Sequence, residues 1–268
     1  MRGYLKNKKF VVGAIISGVV ILIAILGLKF TPYNPTQMNP ANKFASVSFQ
    51  HIFGCDNFGR DIFSRVMVGM SKTVFISLGT NVIGLFFGII VGALTGYFGG
   101  VVDEFLMRFN DAILAFPSIL LALVIISVLG PGEKNVMLAL GILFIPSYAR
   151  MIRGEYIKYK NMDYCKSAKL MGASDLRIIF VHILPNVLPV IFTTAVIGFN
   201  NAVLAEAGLS FLGIGVQPPH SSLGSMLSDS QTFIFSHPGY ALTVGGVIVV
   251  LIIGFALLSD GIKETLNM

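Results

Sequence analysis

Asp163-Tyr-Cys-Lys-Ser-Ala-Lys-Leu-Met-Gly172-Ala-Ser-Asp-Leu-Arg-Ile-Ile-Phe-Val-His-Ile-Leu-Pro185 interrupts a chain that is otherwise apolar enough to live in lipid. The stretch belongs to a loop of almost forty residues, from about Ala149 to Asn186, that carries seven Lys/Arg. A passive turn between two membrane helices needs far fewer residues. Inside it, Asp163 is placed to cap one helix, Gly172 to end it, and Ser174 to cap the next, which gives helix, turn, helix. A long, charged, helix-forming loop between two spans is expected to be a docking site for a soluble partner.

The composition sets the frame. The 268 residues are 54% hydrophobic and 12% charged, against about 25% charged in a soluble domain. With a mean hydropathy of +0.81, the chain reads as all-α and polytopic in the membrane. The net charge of +6 does not point to nucleic acid, because the basic residues flank apolar runs, where orientation signals belong. Cys55 and Cys165 fall on opposite expected sides of the membrane, so no disulfide framework is expected.

Taken in order, the chain yields six spans. Arg2, Lys6, Lys8 and Lys9 precede an uncharged run, Phe10 to Leu28. That run is long enough to cross about 30 Å of hydrocarbon and is read as an uncleaved first span with its N-terminus inside. Residues 1–72 form this span and an external segment, and 73–268 form a five-helix core. The further spans are Thr73–Tyr97, Ala112–Leu129 with a kink at Pro117, Val136–Tyr148 continuing into the basic loop, Val187 to about Leu204, and Gly239–Leu258.

Within the second span, Gly84, Gly88, Gly92 and Gly96 recur every four residues and share one helix face. Small residues in that register let another helix approach closely, here expected to be one of the chain's own. In the external segment, Asp61 and Arg65 are four apart and are expected to pair along a short, solvated interfacial helix. Arg108 and Asp111, three apart at the edge of lipid, are expected to pair with each other. Asn200, Asn201 and Glu206 lie in or just past the fifth span. Polar groups at that depth line a path or join helices. Residues 207–238 contain no Lys or Arg, which marks an outer segment.

Several functions have no supporting constellation. There is no Gly-x-x-x-x-Gly-Lys-Ser/Thr loop to hold ATP phosphates. The outer histidines His51, His220 and His237 share no close ligand spacing, so no metal site is expected. No catalytic arrangement and no nucleic-acid patch is read. The spans hold almost no ionisable groups of the kind a proton- or sodium-coupled transporter uses.

Several segments together resemble one family. Lys166-Ser167-Ala168, Gly172 and His182-Ile183-Leu184-Pro185 fall at the spacing of the signature loop of importer permeases of the ATP-binding-cassette class. That signature reads Glu-Ala-Ala, three residues, Gly, nine residues, Ile, one residue, Leu-Pro. Lys166 stands where the family has an acid and reverses the charge there, and Ser167 replaces an Ala. Gly54-Cys55-Asp56, Gly59-Arg60-Asp61 and Ser64-Arg65 resemble the segment before the second span of the dipeptide, oligopeptide and nickel branch. So do Gly96–Gly100 with Asp103, Met107-Arg108, Asp111 and Phe116-Pro117, the stretch Leu209-Ser-Phe-Leu-Gly213-x-Gly215-x-x-Pro218-Pro219, and the Asp260-Gly261 terminus.

The resemblance implies a six-helix permease of the type I importer fold in a bacterial inner membrane, with both termini cytoplasmic. Asp163, Lys166, Ser167, Ala168, Gly172, Ala173, Ser174 and Asp175 would form the coupling helix region that contacts an ATPase. The implied partners are a second, related permease, two ATP-binding subunits carrying ATP and magnesium, and an external solute-binding protein. The implied cargo is a di- or oligopeptide, with nickel or a metal chelate as the alternative within the branch. An ATP-independent channel or secondary transporter is the alternative outside it.

Overall fold

The structure is a computed structural model and describes residues 6–266. Arg2, one of the basic residues expected to orient the first span, lies outside the described residues. Among the described residues there is no strand, only one isolated bridge between Cys55 and Asp61.

Helix α1, Lys8–Gly27, starts where the Asn7 side chain accepts from the backbone of Lys9 and Phe10. It packs along α10, Pro238–Leu266, through glycines on both helices. A Cβ on Gly254 would come 2.6 Å from Ile16, and one on Gly261 would come 2.5 Å from the Phe10 Cα. At about 1.5 Å per residue, α1 covers one hydrocarbon core of roughly 30 Å.

Helix α2, Ile62–Phe98, has 37 residues and begins well before Thr73. Its first turns are polar, and several of their polar groups are held by partners from other segments. Asp61 caps the helix by accepting from the Ser64 backbone at 2.8 Å. The Ser64 hydroxyl accepts from the Tyr33 backbone, and Lys72 pairs with Glu133 at 2.7 Å. The helix therefore extends beyond the apolar run that marks its span.

The expected third span is broken. Helix α3, Gly100–Leu114, and helix α4, Ser118–Leu129, meet at 91°. Pro117 precedes the first residue of α4, where its missing N–H costs nothing, while Phe116 before it is steered out of helical geometry. Helix α4 has 12 residues, about 18 Å, too short alone for a hydrocarbon core of about 30 Å. Among the described residues, five stretches are individually long and apolar enough to cross, and a sixth exists when α3 and α4 count as one.

Helix α5, Glu133–Lys160, runs through Pro146 and out into the basic loop as expected. Helix α6 is Asp163–Leu170 and α7 is Asp175–Arg177. A wider π-type turn, Ile178–Ile183, then leads into α8, Leu184–Phe211. Helix α9, Leu223–Gln231, is short and carries a capping box in which Ser222 and Ser225 bond each other's backbone.

The glycine stripe packs internally, against α5. A Cβ on Gly88 would sit 2.5 Å from the Cβ of Tyr148, one on Gly92 2.6 Å from the Ala149 carbonyl, and one on Gly96 2.6 Å from the Cβ of Tyr156. Gly84 faces the Tyr148 ring and Phe144 in the same way. The missing side chains bring the two backbones together along the length of the stripe, so van der Waals contact replaces the hydrophobic drive that lipid does not supply.

The expected pairing of Arg108 with Asp111 is not formed. Arg108 faces Glu104 at 3.4 Å, while Asp111 accepts from Arg150 of α5 at 2.6 Å. Asp103, about two turns earlier, accepts from the Arg153 Nε and Nη2 at 2.5 and 2.6 Å. The α3 acids thus serve α5, because α5 lies alongside α3 and presents two arginines to it.

Candidate functional site

The basic loop forms a compact, half-supported hairpin at the end of α2. Helix α6 begins at Asp163, but Asp163 is not its cap: Met162 takes that position without a side-chain bond, and Asp163 instead lies 3.5 Å from Lys166. An acid in the first turn still favours the helix dipole. Gly172 adopts φ +83°, a conformation that resists side chains with a Cβ. The next backbone N–H, from Ala173, returns to the Ala168 carbonyl at 3.0 Å and closes the helix end. Ser174 caps α7 by accepting from Arg177, as expected.

The eight loop residues expected to contact an ATPase divide by depth. Asp163, Lys166, Ser167, Gly172 and Ser174 are exposed. Ala168, Ala173 and Asp175 are half-buried, and both alanines pack on a cluster that includes Tyr156, Cys165, Ile178 and Ile179. Burial pushes the Cys165 thiol above its ordinary 9.0 and the neighbouring Tyr164 phenol up to about 12. Asp175 accepts from the Tyr97 hydroxyl at 2.6 Å, which fastens the hairpin to the last turn of α2.

At the hairpin tip, Leu170 is 90% and Met171 is 87% exposed. Leu176 is exposed as well, and so are Lys166 and Lys169. These residues escaped the sequence reading. The available signal was two large apolar residues directly before a turn glycine in a lysine-rich stretch. The hairpin thus exposes two large apolar side chains at its tip and several lysines, on a base bonded to α2.

A second polar constellation lies within the bundle. The Tyr148 hydroxyl donates to Asn81, whose amide donates at 2.7 Å to the Ala195 carbonyl. This joins α2, α5 and α8, and sequence periodicity alone did not single it out. On α8, Asn200 is half-buried with its side-chain oxygen unpartnered, and Asn201 is exposed. Glu206 lies inside the helix, not past its end, and is fully buried.

The far end of α2 holds a buried ion cluster, not a solvated helix. Residues 54–61 form a turn with Asp56 at its centre. The Asp56 carboxylate accepts from the backbone of Phe58 and Arg60 and from the Arg60 guanidinium at 2.7 Å. Arg65 does not pair with Asp61. It lies 3.5 Å from Asp56 and donates to Asp229 of α9 at 3.3 Å. Asp61 bonds His51 at 2.9 Å. The cluster ties the segment before α2 to α9. His237 is also engaged, stacked on Phe44 at 3.8 Å between ring centroids.

The comparisons with known proteins agree with one another. Residues 84–264 match the family described as binding-protein-dependent transport system inner membrane component, and residues 1–47 match the N-terminal transmembrane domain of oligopeptide transport permease C. A dipeptide transport system permease protein of Alkalihalophilus pseudofirmus is 40% identical over 98% of this chain and 86% of its own. The corresponding protein of Haemophilus influenzae is 36% identical over 98% and 91%. The oligopeptide transport system permease protein of Bacillus subtilis is 34% identical over 100% and 88%. A chain of the methionine ABC transporter MetNI, in an inward-facing conformation, superposes with a TM-score of 0.62 at 18% identity, over 76% of this chain and 95% of that one. With its spans, its glycine-packed α2–α5 pair and its basic hairpin, the chain belongs to the binding-protein-dependent transport system inner membrane components, the multi-pass permease subunits of ABC transporters.

Proposed function

We propose that the chain is the permease subunit of an ATP-driven importer of dipeptides and oligopeptides. One observation carries the mechanism: the apolar tip Leu170-Met171 stands exposed beside Gly172 on a hairpin tied to α2 and continuous with α5 and α8. An ATPase subunit that grips this knob moves three helices through it. The named relatives, two of dipeptide and one of oligopeptide systems, favour peptides as cargo.

In this reading the hairpin and both termini face the cytoplasm, and residues 32–60 with α9 face outward. ATP and magnesium are held by two ATPase subunits, and this chain performs no covalent step. A second, related permease completes the path, and an external binding protein delivers cargo to the α9 end. The hairpin residues from Asp163 to Asp175 couple to the ATPase, and Asn200 and Asn201 line the path, with Glu206 behind them on the same helix. When the ATPases close, the hairpin is displaced as a rigid body and the bundle changes which side it opens to.

The test is uptake in cells lacking only this chain, with labelled short peptides and labelled nickel measured in parallel. Loss of peptide uptake, restored by the wild-type chain, supports the reading. Loss of nickel uptake alone moves the cargo to metal. Unchanged uptake of peptides contradicts the proposal.

A further inference from the structure

Glu206 is a fully buried carboxyl and, among the described residues, has no Lys, Arg or His paired to it. It is surrounded by hydroxyls. Ser210 donates to its Oε1 at 2.6 Å. The hydroxyls of Thr73 on α2 and Ser222 at the start of α9 face the same carboxyl, while Oε2 has no full hydrogen bond.

Each of the three hydroxyl oxygens already accepts a backbone N–H. Ser210 accepts from Val216, Thr73 from Leu223 at 3.2 Å, and Ser222 from Ser225 at 3.3 Å. A hydroxyl that accepts one bond still has its proton to give. The Ser210 hydroxyl donates its proton to Glu206 and accepts from the Val216 N–H, so the carboxyl is tied through this hydroxyl to the loop 212–222, with the Thr73 and Ser222 hydroxyls beside it.

The packing around the hub is tight. A Cβ on Gly224 would lie 2.7 Å from the Cα of Ala207, and one on Gly69 would lie 3.2 Å from Ser222. Helix α9 is therefore in backbone contact with α8 and α2 on both sides of the carboxyl. Leu223 and Met226 are completely buried against Val66, Met70, Phe199 and Val203. Helix α9 is thus packed closely onto α2 and α8.

We propose that Glu206 is a positioning residue that seats α9 between α2 and α8 by its hydrogen-bonding shape, not by a charge, and that the seated α9 seals the path at this end. The proposal rests on the importer reading for its consequence in transport, but not for the seating itself.

The experiment uses the assembled complex. In a chain with Cys55→Ala and Cys165→Ala, Met226→Cys reports seating through a membrane-impermeant maleimide. Labelling stays near background in this parent and with Glu206→Gln, and rises tenfold or more with Glu206→Ala. Peptide uptake per ATP hydrolysed follows: within twofold of wild type for Glu206→Gln, and at least tenfold lower for Glu206→Ala, whose ATPase continues to turn over. Thr73→Val, which keeps the shape and removes one hydroxyl, gives a several-fold change in both readings even where Glu206→Ala does not assemble. Equal impairment of Glu206→Gln and Glu206→Ala overturns the shape argument. Background labelling in both Glu206→Ala and Thr73→Val overturns the seating. A wild-type complex that moves no peptide, yet shows the predicted labelling pattern, overturns the importer reading alone.

Discussion

The Tyr97 hydroxyl, in the last turn of α2, donates a 2.6 Å hydrogen bond to Asp175, at the first residue of α7. This bond spans 78 residues of sequence. It closes the basic hairpin against the helix that also carries the glycine stripe and Thr73, so the hairpin is held to α2 by a direct bond. Tyr97→Phe keeps the ring and removes the bond. The expected loss is about 1 kcal/mol of local stability, with peptide uptake falling several-fold at normal membrane insertion. Hydrogen exchange of residues 163–177 together with uptake checks both parts.

The α2–α5 contact makes a sharper prediction. Gly92 abuts the Ala149 carbonyl and the Ile152 Cβ. Gly92→Val overpacks the crossing and destabilises it by about 1–3 kcal/mol. Gly154, in the same α5, has open space where a Cβ would go. Gly154→Ala is therefore neutral or stabilising by up to about 1 kcal/mol. Thermal unfolding of the two variants in detergent should move in opposite directions or leave Gly154→Ala unmoved.

The stripe was readable in the sequence because its cause is local: four glycines at one spacing can only share a face. The same holds for the turn at Gly172, the cap at Ser174 and the continuation of α5 into the loop. The pairings of Asp61, Arg65, Arg108 and Asp111 were not readable. Of their true partners, His51, Asp56, Asp229 and Arg150 are set by how distant segments lie beside one another, while Glu104 is the neighbour of Arg108 one turn back on α3. Most of these partners lie beyond a neighbouring turn of the same helix. For the same reason the start of α2 was placed too late, since nothing local announces that Ser64 and Lys72 are satisfied from elsewhere. The break between α3 and α4 shows at Pro117, but its angle depends on what α3 packs against.

The buried ion cluster predicts an unequal pair of mutants. Asp56 is completely buried between two arginines, and Asp229 is nearly half exposed. Asp56→Ala takes the 2.7 Å partner from buried Arg60 and leaves buried Arg65 only Asp229, and should destabilise by about 3–5 kcal/mol. Asp229→Ala removes a bond open to solvent and should cost no more than about 1 kcal/mol. Equal losses in thermal unfolding would contradict this division.

Cys55 supplies a pH prediction. Burial first, then the nearby Asp61 and Asp56 charges, push its thiol from 9.0 to about 11. The unfolded thiol ionises near its ordinary value and the folded one only near 11, so the unfolded state sheds its proton first. The contribution of this group to stability is constant below about pH 8 and is lost as pH rises from 9 towards 11. The thiol should resist maleimide at pH 8 in the folded protein and react when denatured. Cys55→Ala should remove the part of the alkaline destabilisation that this thiol causes.

The central claim is that the hairpin turned by Gly172 couples this permease to an ATPase. It is tested by ATP-dependent peptide uptake in proteoliposomes holding the assembled complex with Gly172→Val or Gly172→Asn. At φ +83° a β-branched residue is strained and an asparagine is tolerated. The account predicts normal insertion for both, uptake near wild type for Gly172→Asn, and uptake abolished for Gly172→Val. Wild-type uptake by an inserted Gly172→Val complex would contradict it.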